Sequence, residues 1–230
     1  MPIKSTTYPV NLILAGRSCL VVGGGPIAAR KAAGLLGCEA SVHLVATEVG
    51  AEVRALGGGH GSGVGTAAEA EPSKLLRKVG LTWYERPYRP ADIDGRCLVV
   101  VATDDRALNR AVAADAEAAG VWVNVADDPD ACGFILPAIL REGPVTVSVS
   151  TGGHSPALAG WLRDRIAEVV GPEHAQAATM ISEARDELRV AGRSTEGLDW
   201  QSALDSDMLG SIRAGQVGHA RERLRACLSL

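Results

Sequence analysis

Three consecutive glycines, Gly23-Gly24-Gly25, separate an apolar β-like run, Ser18-Cys19-Leu20-Val21-Val22, from a segment of helical spacing over Pro26 to Gly37. This junction constrains the fold more than any other stretch. A strand that turns at once into a helix needs unusual φ values or a close backbone approach, and glycine permits both. Gly23 to Ala28 fits the pattern G-x-G-x-x-A. In that pattern Gly23 makes the tight turn and Gly25 lets the backbone approach a pyrophosphate. The small Ala28 packs the helix on the sheet, and the free N–H groups of the helix N-terminus face the phosphates. Flanked by a strand and a helix, the motif points to dinucleotide binding over a plain glycine-rich turn.

The remaining chain extends this unit. Strand candidates follow at Ala40 to Ala46, Leu81 to Glu85, Cys97 to Ala102 and Val121 to Val125, with a helical pattern over Arg106 to Ala119. The continuous run CLVVVA suits a strand buried on both faces. Alternating strands and helices predict an α/β fold, a Rossmann-like doubly wound parallel sheet. Gly57 to Pro72 is low in complexity and is expected to be a mobile loop. Phe134 to Leu140 and Val145 to Val149 are two β-like runs around the turn Arg141-Glu142-Gly143-Pro144, which predicts a hairpin. A hairpin is too small to stand alone, and a second copy of the chain is a natural cover for it. Residues 155 to 230 are expected to be helical. Their apolar stripes are Leu158, Trp161, Leu162, Ile166 and Val169, then Ala175 to Val190, then Val217, Ala220, Leu224 and Cys227. The expected organisation is a dinucleotide-binding domain over 1–126, a small β dimerisation region over 127–152 and a C-terminal helical domain over 153–230.

Composition narrows the function classes. The formal net charge of −4 argues against a nucleic-acid partner. No run reaches 18 apolar residues, so no membrane span is expected, and the N-terminus lacks the pattern of a secretory signal. Five cysteines, an odd number with no CxxC, are expected to be reduced and mostly buried in a cytoplasmic protein. No His/Cys cluster has metal-ligand spacing, so no resident metal is expected.

Several polar residues fall where an open α/β sheet binds ligands, just beyond the strand ends. Glu48 lies about 20 residues past the glycines, where an acid accepts from a ribose hydroxyl. Its alternative role is a solvated carboxylate in the first turn of a helix. No Arg occurs between Val45 and Glu52, which favours NAD over NADP. Asp104 belongs either to the ligand crevice or to the N-cap of the next helix. Asp127 is placed for general base chemistry, or is a turn residue before Asp128-Pro129. Ser150-Thr151-Gly152-Gly153-His154-Ser155-Pro156 offers hydroxyls and N–H groups to an anion, with Ser155 also capping a helix that starts at Pro156.

Taken in order, these segments resemble one family. They are Tyr8-Pro9-Val10, Cys19 to Gly25, Ala28-x-Arg30-Lys31, Ala102-Thr103-Asp104-Asp105, Asn124 to Pro129, Phe134-Ile135-Leu136-Pro137 and Ser150 to Ala159. Together they are similar to the precorrin-2 dehydrogenase / sirohydrochlorin ferrochelatase family, that is, the N-terminal module of sirohaem synthase and its stand-alone relatives. The resemblance covers roughly residues 5 to 170. No methyltransferase module is recognisable, and the tail after about residue 190 matches no motif.

The resemblance implies NAD-dependent dehydrogenation of precorrin-2 to sirohydrochlorin, with insertion of Fe²⁺ as a second activity of some members. It implies that Asp127 is the functional carboxylate. Cofactor contacts carry over to Gly25, Pro26 and Ile27, to Thr47 and Glu48, and to Thr103 and Asp104 near the nicotinamide. Ser150, Thr151, Gly152, Gly153, His154 and Ser155 are implied to lie near the substrate. The family forms a homodimer with strands exchanged after Asp127. The substrate carries eight carboxylates, for which Arg30, Lys31, Arg106, Arg110, Arg141 and Arg163 are candidates. His154 is either a group that receives Fe²⁺ or a pyrrole proton, or an exposed loop histidine. Two rival functions are a dehydrogenase of an unrelated small molecule and a non-catalytic NAD-sensing regulatory module.

Overall fold

A computed structural model describes residues 6–57, 59–60, 80–204 and 206–228. The chain divides into two compact units, one ending at Ile135 and the other beginning at Leu136. The first unit contains β1 (Ser18–Val22), α1 (Pro26–Leu36), β2 (Ser41–Ala46), α2 (Ala51–Ala55), β3 (Gly59–His60), β4 (Gly80–Glu85), β5 (Leu98–Val101), α3 (Arg106–Ala118) and β6 (Trp122–Val125). The strands form one sheet in the order β3-β4-β2-β1-β5-β6, with every pair parallel.

Alternation along the strands divides the core into two layers. Cys19 and Val21 of β1 and Leu98 and Val100 of β5 join Ala28, Ala32 and Leu35 of α1 and Val53 of α2 in one buried cluster. Leu20, Val22, Val99 and Val101 join Val112, Ala113 and Ala116 of α3 in the other. Successive side chains of a strand point to opposite faces, so helices cover both faces and the fold is doubly wound. All four residues of β5 are buried, and each such Val or Leu side chain stabilises by about 1.5–3 kcal/mol.

The Gly57 to Pro72 segment is described only at Gly57 and at Gly59–His60. The latter pair with Thr82 and Trp83 of β4, so these two residues are strand where a loop was expected. The rest of that segment lies outside the described residues.

The second unit contains β7 (Ala138–Glu142), β8 (Val145–Val149), α4 (Pro156–Ala167), α5 (Pro172–Val190), α6 (Trp200–Ala203), α7 (Ser206–Arg213) and α8 (Val217–Leu228). The antiparallel hairpin pairs Glu142 with Val145, so its turn is Gly143-Pro144 alone, with Gly143 at φ +54°. A Cβ at Gly143 would lie 2.9 Å from the Ala175 Cβ of α5, so glycine is required twice over. The first strand begins at Ala138, four residues later than the sequence pattern suggested. Pro137 has no N–H for a ladder, and the Phe134 side chain packs instead against the α1-side core of the first unit.

Helices α5 to α8 enclose a separate core of Ala177, Met180, Ala184, Ala203, Met208, Ile212, Ala220, Leu224 and Leu228. Ion pairs Arg221–Glu183 (2.7 Å) and Arg225–Glu187 (2.6 Å) tie α8 to α5 at the surface. Leu228 is buried where Cys227 was expected, and Cys227 is exposed. The α4 stripe also departs from expectation. Leu158, Trp161 and Val169 are exposed, and only Ala159 of α4 is buried, because a two-stranded hairpin has too little area to cover a whole helix face.

Candidate functional site

Strand register brings the sequence-predicted residues of the first unit to one rim. Val22 pairs with Val45 and with Val101, and Val101 pairs with Val125. Gly24, Thr47, Thr103 and Asp127 each follow one of these residues by two positions. They therefore stand at one level, past the carboxyl ends of β1, β2, β5 and β6. Backbone bonds Gly23 N–H to Val45 O (2.9 Å), Ala102 N–H to Val22 O (2.8 Å) and Ala126 N–H to Val101 O (2.8 Å) extend the ladders to this level.

The three glycines serve three purposes. Gly23 has φ +125°, and a Cβ there would collide with the Ala102 carbonyl oxygen. At Gly24 a Cβ would collide with the carbonyl oxygen of Glu48, and the Gly24 carbonyl accepts from Gly50 N–H at 2.9 Å. Both positions are therefore small for packing. At Gly25 nothing lies within 4 Å of the added Cβ. Gly25, Pro26 and Ile27 are exposed in succession at the start of α1, with Ile27 at 40% exposure. An open glycine, an uncovered apolar side chain and a helix N-terminus together fit a dinucleotide's pyrophosphate. Ala28 is fully buried, which lets α1 sit close on the sheet. Gly24 is a residue that the motif's wildcard position hid.

Glu48 is exposed, two residues past β2, while α2 begins only at Ala51 after Gly50. It is therefore outside the helix, and the first-turn acid of α2 is Glu52. Beside this loop stands Glu85, the last residue of β4. Its Oε1 accepts from Arg54 Nη2 at 2.6 Å and from Val49 N–H at 3.4 Å. Arg54 Nε donates to the Val49 carbonyl at 3.1 Å. Glu85 carried no signal in the sequence, because its relation to Glu48 exists only once β4 pairs with β2.

After β5 the two candidate roles of Asp104 resolve onto two residues. The N-cap of α3 is Asp105, whose Oδ1 accepts from Ala107 N–H (2.8 Å) and Leu108 N–H (3.0 Å). The capping role considered for Asp104 is thus corrected by one residue, and the Asp104 side chain is left exposed at the rim. The Thr103 hydroxyl is tied into the turn. It donates to Asn109 Oδ1 at 2.5 Å and accepts from Asp105 N–H at 3.2 Å, while Asn109 Nδ2 donates to the Thr103 carbonyl at 3.0 Å.

Asp127 is exposed and has φ +62°, a left-handed conformation that few non-glycine residues adopt, though Asp is among those that do. Its loop is closed by Cys132. The sulfur accepts from Val125 N–H (3.2 Å) and lies 3.3 Å from the carbonyls of Val125 and Asp128. Asn124 Nδ2 donates to the Phe134 carbonyl (3.0 Å) and reaches the same sulfur (3.6 Å). Burial pushes the Cys132 thiol up. Burial also holds the Lys31 ammonium of α1 below its ordinary range, Arg30 adding to the shift while Cys132 and Asp127 oppose it. Lys31 is thus a half-buried cation in the field of Asp127. Asn124 belonged to the Asn124-to-Pro129 segment of the resemblance, whereas Cys132 gave no indication in the sequence that it would close this loop.

The second glycine-rich turn belongs to the second unit. Ser155 caps α4, its Oγ accepting from Leu158 N–H at 3.1 Å, with Pro156 at the first helical position. Within the turn, Thr151 Oγ1 accepts from Ser155 N–H (3.0 Å) and donates to the Ser155 carbonyl (3.0 Å), and Ser150 Oγ accepts from Gly152 N–H (3.2 Å). Gly152 and Gly153 have φ +58° and +76°. The exposed His154 ring sets Nδ1 at 2.8 Å from the Thr151 carbonyl. A carbonyl only accepts, so Nδ1 carries the proton and the lone pair of the neutral ring lies on Nε2. Among the described residues no three His, Cys, Asp or Glu side chains are grouped as a metal site. No described helix is long and apolar enough to cross a membrane.

Known proteins resemble this chain. Residues 10–138 match a family model described as "Putative NAD(P)-binding", and residues 142–168 one described as "Sirohaem biosynthesis protein central". The siroheme synthase of Nitrosomonas eutropha is 34% identical over 224 residues, covering 96% of this chain and 43% of that protein. The siroheme synthase of Chromobacterium violaceum is 35% identical over 219 residues, covering 94% and 43% respectively. The chain thus spans about two-fifths of the length of these curated relatives. Among solved structures, SirC, precorrin-2 dehydrogenase, superposes with a TM-score of 0.63 at 24% identity, covering 97% of this chain and 100% of that one, and shares the fold. The matched models fall in the order in which the sequence motifs predicted them, and the chain belongs to the precorrin-2 dehydrogenase / sirohydrochlorin ferrochelatase family.

Proposed function

We propose that this chain oxidises precorrin-2 to sirohydrochlorin with NAD⁺ as the acceptor. The observation that carries the reading is the shared rim: an open Gly25 at the α1 N-terminus and an exposed Asp127, brought to one edge by the sheet register. The family and its named relatives support it. The balance is precorrin-2 plus NAD⁺ to sirohydrochlorin, NADH and one proton. When bound, the nicotinamide supplies the hydride acceptor. The N-terminus of α1 holds the pyrophosphate, with donors beyond Pro26, which has no N–H. Glu48 accepts from ribose hydroxyls. Thr103 and Asp104 flank the nicotinamide side, and the fixed Thr103 hydroxyl keeps that turn rigid. Asp127 takes the proton that leaves the macrocycle, and Lys31 balances its charge. Exposed Arg30, Arg106 and Arg110 offer partners to the substrate's carboxylates, and the Ser150 to Ser155 turn serves the substrate in the second unit.

The test is Asp127→Asn, which keeps size and removes the base. Anaerobic NADH formation from precorrin-2 should fall about 10²–10⁴-fold, the usual cost of losing a general base, with NADH affinity retained. A rate within a few-fold of wild type would make Asp127 a turn residue only. A chain that binds NADH yet never reduces NAD⁺ with precorrin-2 would instead be a sensing module.

A second activity, Fe²⁺ insertion into sirohydrochlorin, is favoured by the lone pair left on His154 Nε2. Sirohydrochlorin and Fe²⁺ supplied without NAD⁺ should show macrocycle absorbance changes faster than the protein-free control, and His154→Ala should slow them. A rate that survives the substitution would keep the activity and discard the histidine. We also infer a homodimer formed through the second unit, whose hairpin pairs with no other described strand.

A further inference from the structure

Resting on the dinucleotide site above, we propose that Glu85 determines the choice of NAD over NADP by disarming Arg54. The sequence holds no Arg between Val45 and Glu52, but the fold brings one to the same loop from the next helix. Arg54 Nε lies 3.1 Å from the carbonyl of Val49, the residue after Glu48, so the guanidinium stands within one residue of the ribose acid. A guanidinium there is the group that would fork onto a 2′-phosphate. It is occupied: Nη2 lies 2.6 Å from Glu85 Oε1, and the cation is stacked 6.0 Å from the Trp83 ring centroid. Register sets Ala46 opposite Glu85, so β4 delivers this carboxylate level with the end of β2.

Glu85 therefore acts in three ways. It neutralises an arginine that reaches this loop, it denies that guanidinium to a 2′-phosphate, and it holds the loop through Val49 N–H at 3.4 Å. A 2′-phosphate would meet the Glu48 carboxylate and a cation already paired. The ion pair itself is half exposed and individually weak. The discrimination comes from withholding the Arg54 fork from a phosphate that would bring about two negative charges up to the Glu48 carboxylate.

The experiment is a fluorescence titration of NADH and NADPH, read as the ratio of their affinities, on wild type, Glu85→Ala, Glu85→Gln and Arg54→Ala/Glu85→Ala. Glu85→Ala should shift the ratio toward NADPH by about ten- to a hundredfold, the worth of one charge-assisted contact. The shift should shrink as salt is raised and vanish in the double variant. Glu85→Gln keeps an acceptor for Val49 N–H and serves if the alanine variant folds poorly; it should shift the ratio in the same direction. An unchanged ratio in both single variants, or a gain that survives loss of Arg54, overturns the proposal. Should wild type bind neither dinucleotide, the site itself fails and this inference falls with it. Binding of NADH with no shift in the variants overturns the inference alone.

Discussion

At the scale of single residues, the junction after β1 shows why three identical letters do different work. The motif identified Gly23 correctly as the turn position, and Gly25, its proposed ligand position, has open space before it. It was silent on Gly24, whose neighbour is the carbonyl of Glu48, 24 positions away. This yields contrasting outcomes within one motif. Gly25 has φ −86° and ψ −175°, a region open to any residue, and free space in front of it. Gly25→Val should therefore fold normally, with an unchanged melting temperature, yet lose NADH binding because the side chain fills the pyrophosphate's place. Gly24→Ala should fail differently. Its Cβ collides with rigid backbone, so the melting temperature should drop sharply. If Gly25→Val binds NADH like wild type, the cofactor lies elsewhere. Cys132 follows the logic of Gly24: its partners, Val125 and Asp128, are near in sequence, but only the folded loop turns a sulfur toward both.

The elements were more legible than their ends. Every parallel strand longer than two residues was visible in the sequence, most plainly β5, where burial on both faces removes polar residues; β4, half-buried, still showed its alternation. Boundaries were set by single hydrogen bonds that no periodicity encodes. The start of α3 is one such case, where two adjacent aspartates compete for one cap. Asp105 accepts from two backbone N–H groups, and Asp104 accepts from none among the described residues. Asp105→Ala should cost about 0.5–2 kcal/mol, the usual loss on removing a cap, and lower the melting temperature. Asp104→Ala should leave the melting temperature unchanged and slow NADH formation, as expected of a rim carboxylate. The reverse pattern, with Asp104→Ala unfolding first, would contradict the cap assignment. The tail after residue 190 lay beyond the sequence motifs for a related reason. Helices α6 and α7 span only 4 and 8 residues, too short for a stripe to stand out from neighbouring turns.

At the scale of the whole molecule, the second unit leaves apolar area exposed among the described residues. Leu158 is 47% exposed, Trp161 54% and Val169 68%, all on α4 or just past it. On the hairpin, Ile139 is 38% exposed, and the two strands pair only with each other among the described residues. Isolated exposed leucines are ordinary, but an apolar helix stripe beside open sheet edges marks an interface. In the proposed homodimer a second copy would supply both missing parts, strands for the edges and an equivalent helix for the stripe, and a two-fold axis would make the two patches mutually complementary. Trp161 is the natural anchor, since buried tryptophans dominate interface energetics and cost about 2 kcal/mol or more when removed. Arg165 already stacks 5.4 Å from its ring centroid, which leaves the opposite ring face for the partner. Sedimentation of the wild-type chain should give the mass of a dimer, and Trp161→Glu should shift it toward monomer. NADH binding in that variant should stay intact, because every proposed cofactor residue lies in the first unit. A wild-type chain that sediments as a monomer at micromolar concentration would leave the α4 stripe without a second copy to cover it.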